Sequence, residues 1–187
     1  MTTTETTQAT AEEKKDRMTS APTGHAASFR VPGMAPEKSE QVAKLLQDRL
    51  VALLDLQLTL KHVHWNVIGP SFIGVHEMLD QHVIAARDFS DAIAERIATL
   101  GYEPVGTPGF VVDNRTWKDY DLLRAGTQEH LSKLDEVYKG VVEDHRVAME
   151  ELDELDPVSQ DMIITQLNQL EQYQWFVRAH LETNTAS

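Results

Sequence analysis

Two pairs of side chains on one stretch of chain could hold a metal ion. His76 and Asp80 are four residues apart, and so are Asp91 and Glu95. On a helix, residues at i and i+4 share a face, with Cβ atoms about 6 Å apart, close enough to reach one cation. A single such pair is commonplace on a solvated helix, so the relation between the two pairs carries the argument. Asp80 and Asp91 are eleven residues apart. That is three turns plus about 20°, so both pairs fall on one stripe while standing roughly 16 Å apart along the axis. No single ion spans that gap. Two antiparallel copies of the helix, related by a twofold axis, would set His76/Asp80 of one against Asp91/Glu95 of the other and make two equivalent sites. Ile84 and Arg87 lie on the same stripe between the pairs, near that axis.

His64 adds a second imidazole. Gly69-Pro70 follows it, and this turn folds the next helix back so that His64 approaches His76. The candidate set is His64, His76 and Asp80 from one chain, with Asp91 and Glu95 from its mate. Two imidazoles, carboxylates and open water positions suit Fe(II), Mn(II) or Zn(II) better than Mg(II) or Ca(II). Iron can change valence there; zinc cannot. Di-iron carboxylate bundles instead present Glu-x-x-His motifs inward from different helices. None of the glutamates here has a histidine three residues later, which again points away from the bundle interior and toward an interface.

Composition narrows the chemistry further. The chain has no cysteine, which excludes disulfides, iron–sulfur clusters, zinc thiolates and thiol catalysis. Thirty acidic residues against seventeen Lys and Arg give a net charge of −13, suited to attracting cations and poorly suited to bare nucleic acid. No apolar run reaches the roughly 18 residues of a membrane span. The N-terminus lacks the layout of a secretory signal, so the expected compartment is the cytoplasm.

The elements that position these residues read as helices. Residues 1–28 form a Thr-, Ala- and Ser-rich tail that cannot offset its ordering entropy. The main domain spans 29–182, with a short tail at 183–187. Pro36 suits a first helical turn. Val42, Leu45, Leu46, Leu50, Leu53, Leu54, Leu58 and Leu60 recur at helical steps as far as about Trp65. A second helix is expected from about Ile73 to Leu100, with Gly101 as its C-terminal cap. Residues 101–116 read as a loop and Trp117 to Leu123 as a short extra helix. A third long helix covers about Gly126 to Leu152. Asp156 caps a fourth, which opens at Pro157 and reaches about Leu181. Four long helices with one long central connection make a four-helix bundle.

The run Leu60-Lys61-His62-Val63-His64-Trp65-Asn66, then Phe72-Ile73-Gly74-Val75-His76-Glu77-Met78-Leu79-Asp80, then Asp91 and Ala94-Glu95-Arg96, closely resembles the Dps family of mini-ferritins. The short helix in the central loop and Gln174-Trp175-Phe176 are also similar, and the likeness is greatest to actinobacterial members. It covers about residues 29 to 182. The resemblance implies an all-α, ferritin-like four-helix bundle with a short extra helix in the long central loop. It implies a homo-oligomer, a hollow dodecamer built from twofold dimers, that oxidises Fe(II) between subunits. Hydrogen peroxide is the preferred oxidant, ferric mineral is stored inside, and the result is protection against oxidative damage. Iron, as many as two ions per site, is the implied metal. The family's ligand and catalytic positions fall on His64, His76, Asp80, Asp91 and Glu95. Trp65 matches the tryptophan beside the site, and Glu77 an acidic residue facing the cavity. Two Fe(II) ions can together deliver two electrons to one peroxide, which avoids the hydroxyl radical of single-electron transfer.

Glu154, Asp156 and Asp161 are candidates for an acidic pore that draws in cations, although capping is the preferred role of Asp156. His62, His82, His130, His145 and His180 are expected to serve packing or surface. Two other functions compete. DNA binding in the family often uses a lysine-rich tail, and here Lys14, Lys15 and Arg17 face Glu5, Glu12, Glu13 and Asp16, so weak or no binding is expected. A metal-dependent amide or ester hydrolase at the same interface would need only a divalent ion and a bound water. Neither a Gly-x-Ser-x-Gly elbow nor a His-Glu-x-x-His motif is present to support it.

Overall fold

A computed structural model describes residues 30–182. The expectations for the two tails, including Lys14, Lys15 and Arg17, lie outside the described residues. Four long helices and one short one account for most of the chain. They are α1 (Pro36–Asn66), α2 (Phe72–Thr99), α3 (Pro108–Asn114), α4 (Thr127–Leu152) and α5 (Pro157–Leu181).

Helix α1 starts where proline permits, after an extended Ala35. Its buried residues Val42, Leu46, Leu50, Leu53, Leu56, Leu60 and Val63 keep the three- and four-residue rhythm of a core-facing stripe. Leu58, expected in the core, is instead 65% exposed, because it lies outside that stripe. A positive φ of 116° at Gly69 turns the chain into α2. Antiparallel packing of α1 on α2 is visible in the pairs 64/76 and 61/80, whose numbers run in opposite senses. Helix α2 ends in a Schellman motif: Gly101 has φ 87°, its N–H donates to Ala98 O, and Tyr102 N–H donates to Ile97 O.

The central connection departs from expectation. The short helix is at Pro108–Asn114, opened by an extended Thr107, and residues 117–123 are irregular. Those residues are held by side-chain bonds instead. Arg115 forks onto Asp55 of α1 at 2.9 and 3.1 Å and reaches Asp119 at 2.7 Å. The Tyr120 hydroxyl meets His130 Nδ1 at 3.0 Å, and Lys133 pairs with Asp121. The crossover closes through a feature with no sequence signal: Val67–Ile68 (β1) pairs in parallel with Ala125–Gly126 (β2). This tiny ladder ties the end of α1 to the start of α4.

Helices α4 and α5 form the second antiparallel pair, and buried leucines and valines from all four long helices share one core. Asp156 caps α5. Its carboxylate accepts from Ser159 N–H at 3.2 Å and from Arg96 Nη2 at 2.6 Å, and also from the Ser159 hydroxyl. Burial pushes its carboxyl upward, but the bonds from Ser159 and Arg96 outweigh this and hold it below the usual range. Buried, with all three of these bonds on Oδ2, Asp156 serves as the cap of α5. Glu154 and Asp161 remain exposed, and Glu154 lines a surface depression with Glu150, Glu151 and Asp153.

Candidate metal centre

The end of α1 and the first turns of α2 carry the ligand cluster. The ring of His64 stacks on that of His76, with centroids 3.6 Å apart and planes at 22°. The bonding is reciprocal: His64 Nδ1 lies 3.0 Å from His76 O, and His76 Nδ1 lies 2.9 Å from His64 O. A carbonyl can only accept, so both Nδ1 atoms carry the proton. In the neutral rings this tautomer leaves the lone pair on Nε2, the arrangement a metal-binding histidine needs. Phe72 tilts against the His76 ring at 5.0 Å, which limits ring rotation. The two imidazoles are preset by backbone that is itself fixed by the α1–α2 turn.

Asp80 completes the cluster. Ligand atoms of His64, His76 and Asp80 lie within 4.8 Å of one another. Asp80 Oδ1 is 3.3 Å from His64 Nδ1 and 2.7 Å from Lys61 Nζ. The Lys61 hydrogen bond, chiefly, holds the Asp80 carboxyl below the ordinary range. Lys61 was not singled out from sequence, although it sits three residues before His64 and so on the same face of α1. It places a cation against the carboxylate that a metal would use.

The other expected residues are elsewhere. Asp91 and Glu95 lie about three and four turns beyond Asp80 along α2, both exposed, and are not part of this cluster. Asp91 lines an open groove with Ile84, Arg87, Leu54 and Gln57. Glu77 is exposed. Trp65 is 70% exposed and lines a second groove of about 620 Å³ with Leu58, Val112 and Tyr120. The chain thus gathers two imidazoles and one carboxylate at one end of α2 and leaves two bare carboxylates at the other. Among the described residues no other group of three such ligands converges.

Of the other described histidines, three pack in the interior and His180 is exposed. His82, His130 and His145 are at most 1% exposed, and burial pushes His82 and His145 down to about 3. His62 Nε2 meets Leu122 O at 2.9 Å.

A family profile described as a ferritin-like domain matches residues 43–186. The DNA protection during starvation protein of Mycolicibacterium smegmatis is 56% identical over 156 residues, 83% of this chain and 85% of that one.

The chain belongs to the Dps family of ferritin-like proteins.

Solved Dps structures agree with that assignment. The tetragonal form of Mycobacterium smegmatis Dps superimposes with a TM-score of 0.83 at 54% identity, covering 86% of this chain and 98% of that one. DpsA14 from Streptomyces coelicolor gives 0.83 at 52% identity, covering 87% and 96%. Apart from the two-residue β1–β2 pair, this Dps chain is helical, with a short helix in its central connection. No helix among its described residues is long and apolar enough to cross a membrane.

Proposed function

We propose that this Dps protein oxidises Fe(II), preferably with hydrogen peroxide, at sites shared by two twofold-related copies, and stores the ferric product inside a dodecameric shell. The carrying observation is the pair of stacked histidines whose Nδ1 protons are bound to each other's backbone, with ligand atoms of both and of Asp80 close enough to share one ion. Fe(II) as substrate would be held by His64, His76 and Asp80 of one subunit, and by Asp91 and Glu95 of its partner. The histidines are borderline ligands that accept Fe(II); the carboxylates favour the higher charge of Fe(III). Two Fe(II) ions give one electron each to one peroxide, whose O–O bond breaks to leave two hydroxides.

Lys61 fits this reading as a stand-in cation. An empty site would otherwise hold an uncompensated carboxylate against two imidazoles; the ammonium holds Asp80 in place until metal displaces it. Protection of DNA, which the name of the Mycolicibacterium relative declares for that protein, would follow here from removing iron and peroxide. The net charge of −13 disfavours tight binding to phosphates. Anaerobic titration of the purified oligomer with Fe(II), followed by a stoichiometric pulse of peroxide, tests the proposal. Saturable binding and a ferric burst consuming one peroxide per two irons are expected. A burst no faster than iron and peroxide alone would reject it.

A further inference from the structure

One buried constellation has no part in the metal centre. Tyr138 is 0% exposed and is among the largest fully buried side chains. Its hydroxyl lies 2.8 Å from His82 Nδ1. If Tyr138 donates, only His82 Nε2 lacks a partner; if His82 donated, the phenol proton would be stranded as well. The pair is therefore a phenol donating to a neutral imidazole, which is kept neutral by burial. Tyr173 stacks on His82 at 3.8 Å and 20°. Phe176 lies 6.1 Å from Tyr173, and Trp175 lies 5.2 Å from Phe176. Trp175 is 62% exposed. A file of aromatic rings, each in contact with the next, thus runs from solvent to a phenol that already has a base on its proton.

That arrangement has a redox consequence. Oxidising a phenol by one electron makes its proton strongly acidic, and in a dry interior the electron cannot leave unless the proton has somewhere to go. His82 Nδ1 supplies the place at hydrogen-bond distance. Tunnelling between rings in contact is fast, so a hole created at Trp175 or Tyr173 can move inward. The second tyrosine–histidine pair, Tyr120 with His130, is less suited. Lys133 Nζ lies 5.9 Å over the Tyr120 ring and would repel a developing positive charge, and among the described residues only the His62 ring, edge-on at 5.7 Å, adjoins Tyr120 besides His130.

We infer that Tyr138, with His82 as its proton partner, is an internal sink for one-electron oxidising equivalents, filled through Trp175, Phe176 and Tyr173. In naming the source of those equivalents, the inference rests on the iron–peroxide chemistry proposed above. When one Fe(II) reacts alone, peroxide yields Fe(III), hydroxide and a hydroxyl radical. The radical takes an electron from the ring file and becomes hydroxide; Tyr138 loses that electron, and its phenol proton passes to His82, leaving a neutral tyrosyl radical and an imidazolium. A second Fe(II) returns an electron, the proton goes back to Tyr138, and the sum is the same two Fe(III) and two hydroxides.

The test separates the sink from the iron reading. Azide radicals generated by pulse radiolysis oxidise tryptophan in the intact, iron-free oligomer. The tryptophanyl absorption should decay as a tyrosyl absorption grows, and Tyr138→Phe should abolish most of that growth. Growth of equal size and rate in Tyr138→Phe would overturn the inference, as would a hole that stays on tryptophan in the unaltered protein. Should Tyr138→Phe fail to assemble, Tyr173→Leu, at a half-buried position, should slow the transfer; an unchanged rate would overturn the inference equally. In a parallel arm, Fe(II) and peroxide are mixed and frozen for electron paramagnetic resonance. Ferric formation without a Tyr138-dependent tyrosyl signal rejects the sink and leaves the ferroxidase reading standing; absence of ferric formation rejects that reading, while the azide result still decides the sink.

Discussion

The two ends of α2 carry similar side chains and do different things. At the first end, His76 and Asp80 meet His64 and Lys61 from α1, and every ring and carboxylate is held by a named bond. At the other end, Arg96 turns inward to clamp Asp156 and Ser159 of α5, while Asp91 and Glu95 stay on the exposed face. One end is assembled by its own chain. The other offers two carboxylates with no imidazole near enough to join them. On the proposed reading each end of this helix is half a site, to be completed by a twofold-related copy.

A second contrast lies across the thickness of α2. His76 is half-buried with its Nδ1 bonded to the His64 carbonyl, whereas His82, six residues on, is sealed inside against Tyr138 and Tyr173. The same residue type is a candidate ligand on one face and a packed neutral base on the other. The difference comes from what the opposite helix supplies: backbone carbonyls for His76, aromatic rings for His82.

The largest effect is expected at the furnished end. His76→Ala or Asp80→Ala should slow fast iron oxidation by about 100-fold or more, at least the upper range seen when groups supporting a metal site are removed. The fold should persist, because neither residue belongs to the core. Stopped-flow ferric absorbance together with the size of the oligomer checks both. Unchanged kinetics would break the comparison at its stronger end.

The inward face should reveal itself through pH. His82 and His145 are held down near 3 in the fold and titrate near 6.5 in an unfolded chain. Above about pH 6.5 both states are neutral and these residues contribute no pH dependence. As pH falls below that value, the unfolded chain takes up protons that the fold refuses. Stability should then drop by about 1.4 kcal/mol per pH unit for each histidine, down to the folded values. Urea unfolding midpoints at pH 7, 6 and 5 measure it. A flat profile would mean that these rings are wetter than their burial implies.

The smallest effect concerns Lys61. Lys61→Met removes the cation that competes for Asp80, so metal should bind several-fold more tightly at His64, His76 and Asp80. Calorimetry with Zn(II) as the probe would read it. Weaker binding would instead make Lys61 a support for the loaded site.

Most of this architecture is legible in the residues. The helical rhythm of Val42 to Leu60, Pro36 and Pro157 at first turns, Asp156 as a cap and Gly101 as a terminator are local signals, and each matches its element. The His76/Asp80 and His64 convergence follows from helical spacing and one turn. What was not legible depends on distant partners. The sequence reading puts the short helix at Trp117 to Leu123. It forms instead at Pro108 to Asn114, and the later stretch is pinned by Arg115, Tyr120 and Asp121 to residues far along the chain. The pairing of Val67–Ile68 with Ala125–Gly126 is too short to leave a pattern. Lys61 was overlooked because a lysine at a metal site is the wrong charge for a ligand, though its helical position was readable.

The shared site can be tested by complementation. His76→Ala and Asp91→Ala oligomers, each inactive alone, are dissociated, mixed and reassembled. In a mixed dimer one site inherits both defects and the other inherits neither, so random mixing should restore about a quarter of the unaltered rate. No recovery in a sample shown to contain mixed dimers, or full activity in Asp91→Ala alone, would contradict a centre built from two chains.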